Sequence, residues 1–333
     1  MSAPVANGVH TQGALAPKPL YRDPIYDGAA DPSIIFNTAE KKWLMFYTNR
    51  RANVAGLNDV TWVHGTPIGI AQSTDGANWS YVGNVNFPTD IPNTQGIATY
   101  WAPAVIEHDN TYHMYLTIVP GVFNDWNHPR TIVHLTSSNL KEWQYQSTLP
   151  LATNKVIDAS VLRMPDGLWR MWYNNETAGK KTFYAESKDL YRWIDKGSAQ
   201  LPNDRGEAPR VFFWKNHYWL INDLLGNNGL GVYKSNDALQ WHRQGYDLLN
   251  VAGKGIDDQN GGHHPEIIVS GERAYLFYFV HPGKDVEGVY GHQPAVNVKR
   301  SSIQVVELIY ENGWLAADRN KPVFIDLTPV LDQ

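Results

Sequence analysis

One short element recurs four times with fixed internal spacing: a Ser, two residues later an Asp or Asn, and four residues after that a Trp. The copies are Ser73-Asp75-Trp79, Ser137-Asn139-Trp143, Ser187-Asp189-Trp193 and Ser235-Asp237-Trp241, and their Trp positions lie 64, 50 and 48 residues apart. Each copy follows an alternating apolar run and precedes another short run. That pattern reads as a strand, a polar turn, and a second strand opening on a large aromatic. A chain built on such a period stacks like units rather than winding one irregular sheet.

A second element leads into each copy. A small or acidic residue, usually beside a Pro, opens an apolar run, then a turn, then an aromatic strand. These openings are Asp31-Pro32, Ala102-Pro103, Asp158-Ala159, Ala208-Pro209 and His264-Pro265, at intervals of 71, 56, 50 and 56 residues. Aromatic strands follow, such as Trp43-Leu44-Met45-Phe46-Tyr47 and Tyr275-Leu276-Phe277-Tyr278. Five units of about 50 residues, each with about four strands, predict an all-β chain folded as a five-bladed β-propeller. The longer first unit carries an insertion around residues 50–65. Residues 1–20, rich in Ala, Gly, Pro and Asn, read as a flexible N-terminal arm, and residues 21–333 as one catalytic propeller domain.

Composition narrows the function. The chain has 333 residues, no Cys, 28 basic and 33 acidic residues and a net charge of −5. Thiolate chemistry, disulfides and zinc–thiolate sites are excluded. With no basic run, a nucleic-acid partner is not expected. With no stretch of 18 apolar residues, neither is a transmembrane helix. Residues 1–19 lack the charged and apolar regions of an intact signal peptide. A secreted or periplasmic location is expected if such a peptide has been removed, and a cytoplasmic one otherwise.

In a propeller the first strand of each blade lines the central channel, and its start lies at one mouth. The repeat therefore brings together Asp31, Ala102, Asp158, Glu207 or Ala208, and His264. A carboxylate opening an otherwise apolar strand needs a partner or a task. Three from three blades, without a nucleophilic Ser motif or a phosphate loop, suit glycoside hydrolysis, which needs one protonated and one ionised carboxyl across the scissile bond.

On Ala30-Asp31-Pro32-Ser33-Ile34-Ile35, Trp101-Ala102-Pro103-Ala104-Val105, Ile157-Asp158-Ala159-Ser160-Val161, Gly206-Glu207-Ala208-Pro209-Arg210 and His263-His264-Pro265-Glu266, the chain resembles glycoside hydrolase family 43 from Ala30 to about Leu308. The resemblance implies Asp31 as general base, Glu207 as general acid, and Asp158 as the residue that orients the acid and raises its pKa. It implies an inverting, exo-acting glycosidase that takes a terminal arabinofuranoside, xyloside or galactoside from an oligosaccharide or polysaccharide. An inverting pair stands roughly 6.5–9.5 Å apart. Two alternatives accompany it. One is a non-catalytic sugar-binding propeller. The other is an anhydrogalactose-releasing hydrolase, whose relatives place a His directly before the fourth-blade Glu, where this chain has Gly206.

Further candidates follow. His264 faces the channel in the resembled family and there often touches a calcium, a sodium or a water. No cofactor is required, and any ion on His264 would be mainly water-coordinated, because no acidic cage accompanies it. Tyr100 and Trp101 precede the second inner strand and are expected as sugar platforms. Asp125 and Trp126, in the loop of residues 123–128, are expected in a subsite. Arg300 is expected to face substrate hydroxyls, and Arg210 to serve a buried ion pair. Arg22-Asp23-Pro24 copies a fructan-hydrolase motif but lies before the first blade, which makes it a turn.

Overall fold

The computed structural model describes residues 10–283 and 295–329. Twenty strands form five antiparallel four-stranded meanders, each in simple chain order. Blade one is β2 (Ala29–Asn37), β3 (Lys42–Asn49), β4 (Ile68–Ser73) and β5 (Ser80–Asn84). Blade two is β6 (Thr99–His108), β7 (Thr111–Val119), β8 (Thr131–Ser137) and β9 (Gln144–Thr148). Blade three is β10 (Val156–Arg163), β11 (Trp169–Asn175), β12 (Lys181–Ser187) and β13 (Trp193–Ser198). Blade four is β14 (Glu207–Trp214), β15 (His217–Asp223), β16 (Leu230–Ser235) and β17 (His242–Arg243). Blade five is β18 (His263–Ser270), β19 (Arg273–Val280), β20 (Ser302–Glu311) and β21 (Trp314–Ala317). The protein is the five-bladed propeller that the repeat predicts. Among the described residues the longest helix is one turn, Val296–Lys299.

The recurrent Ser-x-Asp/Asn element builds the turn between the third and fourth strands. In blade three, Ser187 Oγ accepts the Asp189 N–H, and Asp189 Oδ1 accepts the N–H groups of Tyr191 (2.9 Å) and Arg192 (2.8 Å). Asn139 does the same for Lys141 and Glu142 in blade two, and Asp237 for Leu239 and Gln240 in blade four. The short side chain replaces ladder partners that a tight turn leaves open. The closing Trp then folds back under the blade, where Trp143, Trp193 and Trp241 are buried.

Each pair of neighbouring blades encloses its own apolar layer. Phe46, Met114 and Trp143 pack between blades one and two, Tyr115, Met171 and Trp193 between two and three. Trp172, Tyr233 and Trp241 fill the third interface, and Trp219, Leu276 and Tyr278 the fourth. The ring closes between blades five and one, where Met45 and Phe277 meet residues from both ends of the chain. There β1 (Ala14–Leu15) pairs with β22 (Phe324–Ile325), and Ala16 and Leu20 are buried. Of the expected arm, residues 1–9 lie outside the described residues, and the part from Ala14 to Leu20 is packed onto the propeller.

Every innermost strand carries the same irregularity near its start. Pairing slips between Ala30 and Ser33, Trp101 and Ala104, Ile157 and Ser160, Glu207 and Arg210, and His263 and Glu266. The residue inside each slip is left-handed: Asp31 (φ 51°), Ala102 (44°), Asp158 (61°), Ala208 (51°) and His264 (44°). These are β-bulges, which re-aim a side chain out of the ladder. A following Pro suits them because no partner for its missing N–H is called for. The stranded N–H groups are taken by the preceding blade: Ala102 donates to Thr48 Oγ1 (2.9 Å) and Asp158 to Thr117 Oγ1 (3.2 Å).

The repeat supplies its own control for the turns. Asp189→Ala should lower stability by about 1 kcal/mol, whereas Asp189→Asn, the residue that blade two uses, should be nearly neutral. Urea unfolding of the two variants checks this, and equal losses would count against the turn assignment.

Candidate active site

The bulge residues Asp31, Asp158 and His264, and Trp101 and Glu207 directly before the other two bulges, line one cavity of about 410 Å³ at the mouth where the innermost strands begin. Asp31, Asp158, Glu207 and His264 all line it, so the structure brings together the residues that the repeat aligns. The second strand of each blade ends at the same mouth, being antiparallel to the first. It delivers a second set that sequence reasoning missed: Arg50 after β3, Glu176 and Lys180 after β11, Asp223 at the end of β15, and His281 after β19.

Asp31 is buried between two of these groups. Arg50 Nη2 lies 3.3 Å from its Oδ1 and His264 Nδ1 3.4 Å from the same oxygen. Arg50 is itself fixed, with its guanidinium 4.6 Å above the Phe279 ring and Nη1 3.1 Å from His281 Nε2. A guanidinium cannot accept, so Nε2 is the accepting nitrogen, and Nδ1 donates to the Arg300 carbonyl at 3.0 Å. Burial and the nearby Arg50 keep His281 well below the usual imidazole pKa, in the neutral form that this arrangement requires. Asp31 thus has a charge partner and a set orientation.

Asp158 is fully enclosed. Its Oδ2 accepts the Ala208 N–H at 3.0 Å. Burial first, then the carboxylates of Glu207 and Asp31, push its pKa well above the usual carboxylate range. The structure therefore sets Asp158 beside Glu207 and raises the pKa of Asp158 itself. Glu207 Oε2 instead lies 2.6 Å from Lys180 Nζ, in an ion pair that no motif announced. Burial opposes the charge on Lys180, but Glu207 and Glu176 outweigh it and raise its pKa.

Behind His264 a further acid completes the floor. Asp223 accepts the His264 backbone N–H (3.2 Å) and the Leu225 N–H (2.7 Å), and its Oδ2 lies 3.1 Å from His263 Nδ1. Burial opposes ionisation of Asp223, but His263 and these hydrogen bonds prevail and lower its pKa. Burial likewise lowers His264 against the pull of Asp31 and Asp223. Among the described residues no cluster of three or more His, Asp or Glu is arranged to hold a metal ion.

The remaining candidates divide. Trp101 lines the cavity, its Nε1 donating to the Val63 carbonyl at 2.7 Å. Trp126 joins it at 6.1 Å between ring centres and is 44% exposed. His64 backs both rings. Tyr100 is on the opposite face of β6, because side chains alternate along a strand. Its ring packs 4.5 Å from Phe87 and is not part of the cavity wall. Asp125 turns outward, accepting the Asn127 N–H and facing His128. Arg300 gives its side chain to Asp257 at 2.7 Å, which removes it from the wall. Arg210 does form the expected buried pair, with Glu266 at 2.5 Å. Asp23 does cap a turn, accepting from Ile25 and Tyr26.

Five strand-start bulges, five carboxyls in one cavity and aromatic rings at its rim describe a carbohydrate-processing propeller. Residues 21–191 match the family described as glycosyl hydrolases family 43, and the chain belongs to that family. It is a glycosidase. Solved structures share the fold at low identity. The RS223 β-xylosidase is 14% identical with TM-score 0.65, covering 88% of this chain and 95% of its own. CoXyl43, a β-xylosidase/α-arabinofuranosidase from a compost microbial metagenome, solved with xylotriose in a calcium-free form, is 15% identical with TM-score 0.65, covering 91% and 98%. An exo-1,5-α-L-arabinanase from a bovine ruminal metagenomic library is 16% identical with TM-score 0.61, covering 90% and 99%. Among curated protein sequences none matches at a significant level.

The raised Asp158 has a consequence for stability. Below the unfolded-state pKa of about 3.9 both states hold the proton, and Asp158 carries no penalty. As pH rises, the unfolded chain releases the proton while the folded one must keep it or bury a charge, so the native state loses ground. Asp158→Asn escapes this cost and keeps an acceptor for Ala208. Its stability relative to the parent should therefore increase from pH 4 to pH 8, as read by urea midpoints, and a pH-independent difference would contradict the assignment.

Proposed function

We propose that the protein is an exo-acting, inverting glycoside hydrolase that removes a terminal pentose or galactose-type residue (an arabinofuranoside, xyloside or galactoside) from polysaccharide-derived oligosaccharides. The observation that carries this reading is the presence of Asp31 and Asp158 at the bulges of two blades and of Glu207 directly before the bulge of a third, all facing one cavity. A cavity walled by all five blades suits a chain end better than an uninterrupted chain. The β-xylosidase/α-arabinofuranosidase and exo-arabinanase activities of the structural relatives support the choice of pentoses.

In this reading Asp31, oriented by Arg50, takes a proton from the water that attacks the anomeric carbon. Glu207 delivers a proton to the leaving oxygen, and Asp158 is the neighbour that exchanges charge with it. Trp101 and Trp126 offer apolar faces to the sugar rings. Gly206 speaks against the anhydrogalactose alternative. It stands at φ 117°, and a Cβ there would lie 2.1 Å from the Asp223 carbonyl oxygen. A His directly before Glu207 has no room.

Nitrophenyl glycosides and plant or algal oligosaccharides test the reading, with NMR of the first-formed anomer. We expect inversion at the anomeric carbon and single-sugar release. Asp31→Asn and Glu207→Gln should each lower turnover on a natural glycoside by at least ~100-fold, the scale of one general acid or base, with folding retained. Retention of configuration would reject the water-attack role of Asp31. Sugar binding without turnover across the panel would favour the non-catalytic alternative.

A further inference from the structure

Lys180 reaches the cavity from outside the repeat that delivers the carboxyls. It follows the helical turn Glu176–Ala178 and Gly179, in left-handed backbone (φ 57°). From that turn its Nζ lies 2.6 Å from Glu207 Oε2 and 3.1 Å from Glu176 Oε1. Glu176 is anchored in turn by an ion pair with the buried Arg130. The ammonium is thus shared between Glu207 and a Glu176 that Arg130 anchors. Its side chain is 36% exposed, so it can leave Glu207 while keeping Glu176.

The charges around this group are unequal. Glu207 faces Lys180 and Asp158, has Asp223 opposite it on the neighbouring strand, and senses His264 across the channel. Asp158 faces Glu207, Asp31 and, more weakly, Lys180, and its Oδ2 accepts the Ala208 N–H. Of the two carboxyls, one has an ammonium in contact and the other has none. A single shared proton then belongs on Asp158, as burial also dictates. Acid catalysis demands the reverse, a proton on the carboxyl that meets the leaving oxygen. An ammonium at 2.6 Å stabilises the carboxylate instead.

We propose that Lys180 is a positioning residue for the acid: it holds Glu207 as a carboxylate in the substrate-free enzyme and retreats to Glu176 when a glycoside binds. This rests on the reading of Glu207 as the acid. When the ammonium withdraws, the proton leaves the Asp158 carboxyl and joins Glu207 Oε2. One O–H bond breaks and one forms. Asp158 becomes the carboxylate that accepts from Ala208, and the net charge of the site is unchanged. After Glu207 has protonated the leaving oxygen, its carboxylate returns to Lys180. Asp31 releases to solvent the proton it took from the attacking water, and Asp158 takes one back from solvent, so each turnover leaves the proton count of the site unchanged. The arrangement links the acid form of the enzyme to occupancy of the cavity.

The test compares Lys180→Met and Lys180→Arg with the parent, with Lys180→Gln as substitute if the Met variant does not fold. The pH profile of kcat/KM reports the free enzyme and that of kcat the substrate complex. In Lys180→Met the alkaline limb of kcat/KM should move up by about one to three pH units, the reach of one adjacent opposite charge. The limb of kcat should move far less, because Lys180 has already withdrawn in the complex. Lys180→Arg should keep both limbs near the parent positions. Limbs that move together would show that Lys180 stays on Glu207 through turnover, and unmoved limbs would leave it a structural role; either overturns the proposal. A second measurement is independent of activity. With ¹³C-carboxyl-labelled glutamate, and Glu207→Gln for assignment, the Glu207 signal should titrate at higher pH in Lys180→Met than in the parent. If no glycoside is hydrolysed, the reading of Glu207 as an acid fails while this titration still decides whether Lys180 governs it. An identical titration in both proteins refutes the control of Glu207 by Lys180.

Discussion

The left-handed bulge at the start of each innermost strand is the constraint on which the rest of this structure depends. A non-glycine residue in that conformation costs about 1–2 kcal/mol, and the propeller accepts it five times, at Asp31, Ala102, Asp158, Ala208 and His264. Each bulge takes one residue out of the ladder, which at Asp31, Asp158 and His264 brings it into the cavity wall, and frees its N–H, which the preceding blade satisfies at Ala102 and Asp158. Blade docking and site assembly are therefore one event. At Ala208 the acceptor is Asp158 itself, so a carboxyl of the active site also pins one blade to the next.

The second constraint is electrostatic. Asp31, Asp158, Glu207, Asp223 and Glu176 share one cavity with Arg50, Arg130 and Lys180. The cations are not spread evenly. Arg50 meets Asp31, Arg130 meets Glu176, Lys180 bridges Glu176 and Glu207, and His263 supports Asp223. Asp158 alone among these acids has no Lys, Arg or His side chain in contact among the described pairs, and it is the one whose pKa burial and like charges drive up. A site that must hold one proton among several carboxyls gets its selectivity from which acid is left without a partner.

Much of the site was legible because the propeller repeat converts sequence register into geometry. Asp31, Asp158 and His264 occupy equivalent bulges, and Glu207 precedes one, so aligning five openings located them without any contact being known. Tyr100 shows the limit of that logic. It neighbours Trp101 in sequence, yet strand alternation sends it into the layer between blades, against Phe87. Arg300 shows another: its guanidinium goes to Asp257, a residue in a long connection that no repeat places. The residues missed were at the far ends of the second strands. A hairpin returns to the level where it began, so Arg50, Glu176, Asp223 and His281 were candidates by the same geometry, although their motifs differ from blade to blade.

The sequence by itself determined the number of blades, the turn chemistry that separates their strands, and three of the five acids that face one mouth. These follow from local spacing and the period-two alternation of strands, which act over a few residues. Only the tertiary structure decided how the charges are paired. Lys180 and Glu207 are 27 residues apart and Arg50 and His281 are 231 apart, so the first contact depends on the docking of neighbouring blades and the second on ring closure, rather than on any local pattern. The protonation of a carboxyl depends on burial and on charges within a few ångströms. That is why burial and like charges raise the pKa of Asp158, and why no motif could have assigned that shift.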